Sequence, residues 1–218
     1  MNELIHPALP FPLAPAGGKN CEFAVDDAGA LRLTGEARSD LFIDPVAGAE
    51  RPDAGYLLGV PPRGAGRADG DGSGGGDFTL SARITVPFGA KFDAGVLLVY
   101  AGPERFAKAC FEFSPQRKPM AVSVVTRGVS DDANAFVVEG DTLWLRVTRV
   151  GAAWAFHASI DGKWWDMLRY FTLGEPPEER DAVRVGFLAQ SPVGEGIEVT
   201  FTQIAYSEGA PADLRDGS

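Results

Sequence analysis

Glycine and proline interrupt this chain so often that no long helical period survives: 27 Gly and 16 Pro are spread over its 218 residues. Between the interruptions lie short runs in which apolar residues recur at every second position. A period of two is the signature of a strand with one buried face, and many short strands joined by turns define an all-β domain. The runs fall at 21–25, 30–34, 40–43 and 56–60, then at 78–86, 94–100, 107–113, 121–127 and 135–138, and finally at 143–150, 153–160, 164–171, 183–190 and 197–206. Gly29 closes a first hairpin, and Gly151 and the Asp161-Gly162 pair close a later meander, because a tight hairpin needs backbone in the left-handed region. The expected architecture is a two-sheet antiparallel sandwich forming one domain over residues 1–208. A Gly-rich loop at 61–77 has too little apolar surface to pack, and a polar tail at 209–218 is expected to fray.

The length suits this architecture, since large sandwiches often reach roughly 200–250 residues as one domain. A net charge of −10 opposes phosphate backbones and anionic membrane surfaces, so neither nucleic acid nor membrane is an expected partner. The two cysteines, Cys21 and Cys110, do not make a disulfide framework. Free thiols point to a reducing, cytoplasmic setting. The first residues lack a basic segment and carry several prolines, which does not fit a secretory signal.

Four central blocks carry a resemblance: FDAGVLLVYAGPERFAKACFEF, AVSVVTRGVSDDAN, LWLRVTRVGAAWAFHASIDGKWWDMLRYFTL and VGFLAQSP. In this order they resemble the regulation-of-enolase-like family, a domain of unknown function, over roughly residues 78–206. The resemblance implies a concanavalin A-like jelly roll of two curved antiparallel sheets. It implies no activity, because that superfold hosts lectins, glucanases and binding modules alike. The chain departs from the family pattern at Phe106 and Asp132, where the family tends to place aromatic residues, a Trp at the first.

Alternation assigns side chains to faces. Lys108, Cys110 and Glu112 share a face opposite Ala107, Ala109, Phe111 and Phe113. Ser123, Val125 and Arg127 oppose Val122, Val124 and Thr126. Trp144, Arg146 and Thr148 oppose Leu143, Leu145 and Val147, and His157, Ser159 and Asp161 oppose Trp154, Phe156, Ala158 and Ile160. Gathering the polar faces gives one candidate ligand-binding surface of Lys108, Glu112, Arg127, Trp144, Arg146 and His157. Acids, bases and one indole suit a carbohydrate or a similar small polar metabolite, because hydroxyls bond charged groups and a sugar ring stacks on an aromatic. An equally simple account is the solvated face of an antiparallel sheet.

Catalytic and metal patterns are weak. Zinc needs three or four converging ligands, and the only histidines are His6 and His157. Ser159, His157 and Asp161 lack a nucleophile elbow. Glu112 has no carboxylate two positions away on its strand, so a sugar hydrolase using it as acid or base would have to borrow Asp131 or Asp132. Asp69, Asp71 and Ser73 resemble the start of a calcium loop, but Leu80 stands where its closing glutamate belongs. The expectation is a non-catalytic binding module without metal or cofactor. The alternatives are a carbohydrate-active enzyme with Glu112 as acid/base, and a regulatory domain that binds a protein partner.

Overall fold

The computed structural model describes residues 3–18, 21–48, 50–62, 76–174, 179 and 182–218. Among them there are sixteen strands and no α-helix. No helix is long and apolar enough to cross a membrane among the described residues. Residues 63–75 of the Gly-rich segment, with the calcium-loop candidates Asp69, Asp71 and Ser73, fall outside them.

Two seven-stranded antiparallel sheets face each other. The first runs β1 (Ala14–Gly17), β6 (Gly55–Gly59), β15 (Arg184–Gln190), β8 (Ala94–Gly102), β9 (Arg105–Phe113), β10 (Pro119–Arg127) and β11 (Val129–Val137). The second runs β14 (Asp166–Phe171), β13 (Ala153–Ser159), β12 (Thr142–Val150), β7 (Phe78–Thr85), β16 (Ile197–Glu208), β3 (Leu31–Gly35) and β2 (Phe23–Val25). A separate hairpin pairs β4 (Leu41–Ile43) with β5 (Glu50–Pro52). Sheets of this size and hand-over pattern make a jelly-roll sandwich.

The alternating residues of β7 and β12 meet those of β9 and β15 between the sheets, where Phe111, Phe156, Phe187 and Phe201 are fully buried. Phe187 and Phe201 pack edge to face across the interlayer at 5.1 Å between centroids. The first sheet is also covered on its outer face. Leu41 and Ile43 of β4 lie over Val96, Leu98, Phe106, Cys110 and Leu188 in a second apolar cluster. That double burial explains the unbroken apolar runs of β6, β8 and β15, which alternation alone leaves unassigned to a face.

Three expectations change. The structure extends β11 back to Val129, turned from β10 at Gly128 (φ 80), although its sequence VSDDANAFV is largely polar. It is an edge strand, and exposed charges there block further pairing. Val125 points into the interlayer core, and Val124 points outward, the reverse of the expected grouping with Arg127. The tail does not fray. It folds back on the second sheet, where the Leu214 carbonyl accepts a hydrogen bond from His157 Nε2 at 2.6 Å.

Candidate functional site

The six residues grouped by alternation do not share a surface. Alternation separates the two faces of one strand but does not say which sheet the strand joins. Lys108 and Glu112, on β9, face outward from the first sheet. Trp144 and Arg146 on β12 and His157 on β13 face outward from the second, on the opposite side of the sandwich. Arg127 ends β10 in solvent, beside Gly102, Pro103 and Leu173 at one end of the sandwich.

The second-sheet trio is covered by the chain itself. Trp144 donates its indole N–H to Gln203 Oε1 at 2.9 Å and lies under the Arg83 guanidinium at 5.1 Å. Arg146 stacks on Trp165 at 4.4 Å and is only 7 % exposed. Its burial lowers its pKa to about 10. His157 is enclosed by the tail, and burial holds its imidazole below the usual value against the opposing pull of the Leu214 carbonyl. Ser159 and Asp161 are occupied with each other and with the turn amides of Gly162, Lys163 and Trp164, so they form no triad with His157.

The first sheet carries a cavity of about 450 Å³ on its outer face. Its floor is Lys108, Glu112 and Val124, its far wall is Asp132 on the edge strand β11, and Phe42 and Asp44 of the β4 hairpin overhang it. Phe92 and Gln190 close the end where β8 begins and β15 finishes. Size and composition are those of a small-molecule site, mostly apolar with a few placed polar groups.

Lys108 organises the polar floor. It is 2 % exposed, and its ammonium donates to Gln190 Oε1 at 3.0 Å and to Asp40 Oδ1 at 3.3 Å. Burial works against the charged form, but the nearby carboxylates of Asp40 and Glu112 and the Asp40 hydrogen bond hold its pKa above the usual lysine value. Gln190 is fixed in turn, because its amide donates to the Phe92 carbonyl at 3.3 Å. Asp40 Oδ1 also accepts from the Leu41 N–H at 2.7 Å. The ammonium has three N–H donors, so one remains after these two bonds.

Glu112 contrasts with Lys108. Burial pushes its carboxyl up to about 8, with Asp132 and Asp40 adding to the shift and Lys108 opposing it. At neutral pH this side chain holds a proton and can donate it into the cavity. Asp132 is raised as well, first by burial and despite Lys108, the Ala133 amide and Arg169. The neighbouring Asp131 does not enter the cavity; Arg169 binds its carboxylate at 3.0 Å and its carbonyl at 3.1 Å.

Phe92 marks the cavity independently. Its backbone sits at φ 69, a region that a bulky residue occupies at a cost of about 1–3 kcal/mol. The Phe92 amide bonded to the Phe113 carbonyl at 2.7 Å holds this geometry, and the Asp93 carboxylate caps the preceding turn through the Gly89 and Ala90 amides. Such strain persists where the surroundings over-determine it, and binding sites are common places for it.

The sequence pattern marks Lys108 and Glu112, and Asp132 as a possible companion of Glu112, but leaves Asp40, Gln190, Phe42 and Phe92 unmarked. The available signal was the polar residue ending an otherwise apolar run, as Gln190 ends β15. No group of three or more His, Cys, Asp or Glu side chains is arranged to hold a metal among the described residues.

The fold is a jelly-roll sandwich of two antiparallel sheets, with the cavity on one sheet face. The chain is a member of the family described as "Protein of unknown function (DUF1349)", whose model matches residues 19–209. No curated protein matches it. A functionally unknown protein from Saccharomyces cerevisiae superimposes with a TM-score of 0.71 at 22% identity, covering 90% of this chain and 96% of that one. A GH43 protein from Bacillus licheniformis matches with a TM-score of 0.61 at 16% identity over 83% of this chain, but this chain spans only 33% of it. An alginate lyase from Klebsiella pneumoniae matches with a TM-score of 0.52 at 14% identity, covering 86% of this chain and 84% of that one. At these identities the likeness is one of fold.

Proposed function

We propose that the protein binds a carbohydrate, or a metabolite of similar size and hydroxyl content, in the cavity over Lys108 and Glu112. The observation that carries this reading is the fixed ammonium. Lys108 is immobilised by Asp40 and Gln190 with one donor left over, beside a carboxyl that keeps its proton. Hydroxyl groups both donate and accept, and a mixture of preset donors and acceptors between two phenyl rings matches them. Structural neighbours named as a GH43 protein and an alginate lyase support a carbohydrate link at the level of fold. The narrower regulation-of-enolase-like assignment rests on the four sequence blocks.

A catalytic reading has one observation in its favour. Glu112, protonated near neutral pH, and Asp132 line the same cavity, and glycoside hydrolysis uses a protonated and an ionised carboxyl flanking the bond. Turnover of a chromogenic glycoside that vanishes in Glu112→Gln would establish it.

The test of binding is a thermal-shift panel of mono- and oligosaccharides. A ligand at about 100 times its dissociation constant adds roughly 2.7 kcal/mol to the folded state. A shift that disappears in Val124→Trp, which fills the cavity floor, places the ligand there. A flat panel would refute the reading and favour a protein partner, to be sought by pull-down.

A further inference from the structure

We infer that the ligand of this cavity carries no negative charge: the site selects neutral sugars or polyols against uronates, aldonates and sugar phosphates. This rests on the carbohydrate reading above and goes further, to the class of molecule. Among the described side chains, the carboxyl groups of Asp40, Asp44, Glu112 and Asp132 line the site, against Lys108 as the one cation. That cation is already neutralised by Asp40 at 3.3 Å. Recognition of a carboxylate or phosphate ordinarily uses a guanidinium fork or a nest of backbone amides. Among the described side chains, none that lines the cavity is an arginine. Arg169, whose guanidinium acts on the Asp132 carboxyl, is turned onto Asp131.

An anion entering here would face the like charges of Asp132 and Asp44, while the Lys108 charge is already shared with Asp40. A neutral hydroxyl group meets no such penalty. It accepts from the third Lys108 proton or from protonated Glu112, and it donates to the carboxylates of Asp132 or Asp44. Phe42 and Phe92 line the cavity and supply apolar surface for the C–H side of a sugar.

Matched pairs test this by calorimetry at one pH and one ionic strength: glucose against glucuronate and glucose 6-phosphate, galactose against galacturonate, and xylo-oligosaccharides against acidic ones. The expected result is that at least one neutral member binds and its acidic counterpart binds about tenfold more weakly or worse, as like charges across an interface do. Asp132→Asn, an exposed edge-strand change that leaves the core untouched, should narrow that gap. An acidic member binding as tightly as its neutral partner, or an unchanged gap in Asp132→Asn, would overturn the selection by charge while leaving carbohydrate binding standing. Silence from every member of both sets would overturn the carbohydrate reading itself, and this inference with it.

Discussion

The Lys108 ammonium lies 3.3 Å from Asp40 Oδ1, a contact that ties the middle of the first sheet to the chain entering the hairpin above it. With Asp40 only 14% exposed at its side chain, the pair is largely withdrawn from water. The ion pair acts beside the packing of Leu41 and Ile43 and the Ile43 N–H bond to Ser130 Oγ in holding the hairpin over the cavity.

Lys108→Met removes the cation and leaves Asp40 and the Gln190 carbonyl without it. Losing one partner of a buried pair costs roughly 3–5 kcal/mol, and the partial exposure of Asp40 places this case at about 2–4 kcal/mol. Urea melts should show that loss with an unchanged m-value. A drop of less than about 1 kcal/mol would mean that Asp40 rehydrates freely.

Glu112→Gln tests the protonated carboxyl through pH. The folded-state pKa is raised, from 4.5 to about 8, so the folded protein holds a proton that the unfolded chain releases. Below pH 4.5 both states are protonated. Between 4.5 and about 8 the wild type loses stability as pH rises, and above 8 the loss levels off. Glutamine cannot ionise, so the variant should gain on the wild type steadily across that window. Parallel stability–pH curves for the two proteins would contradict this.

Removing residues 210–218 should expose Arg146 and His157 on the second sheet. The His157 pKa is lowered in the folded state, so the unfolded chain takes up a proton that the folded one refuses. That group contributes stability at neutral pH and loses it as pH falls through about 6.5. Truncation should lower the melting temperature at pH 7.5 and raise the His157 pKa toward 6.5, read from its ring proton shifts. An unmoved His157 titration would mean that the tail does not shield it.

Gly186 on β15 has no room for a side chain. A Cβ there would overlap the Leu57 carbonyl oxygen of β6, a backbone atom with no freedom to swing away. Gly186→Ala should destabilise by at least about 3 kcal/mol, at the upper end of overpacking penalties, by parting two paired strands. Near-wild-type melting would require β6 to slide without loss.

Alternation and turn residues determined most of the strands and the two-layer class, because period two in a chain dense with glycine and proline leaves few other folds, while β1, β5 and the polar start of β11 carry no such pattern. Spacing alone assigns Phe111, Val147 and Phe156 to the interlayer core, and they lie there. It likewise puts Lys108 and Glu112 together, since residues four apart on one strand share a face. Only the tertiary structure decided which strands share a sheet. The contact between Lys108 and Asp40 spans 68 residues of sequence, and Gln190 joins it from 82 residues away. Neither separation leaves any local trace. The same limit sent Trp144, Arg146 and His157 to the wrong surface: a strand's own pattern records its two faces, whereas its partners are chosen by the packing of the whole core.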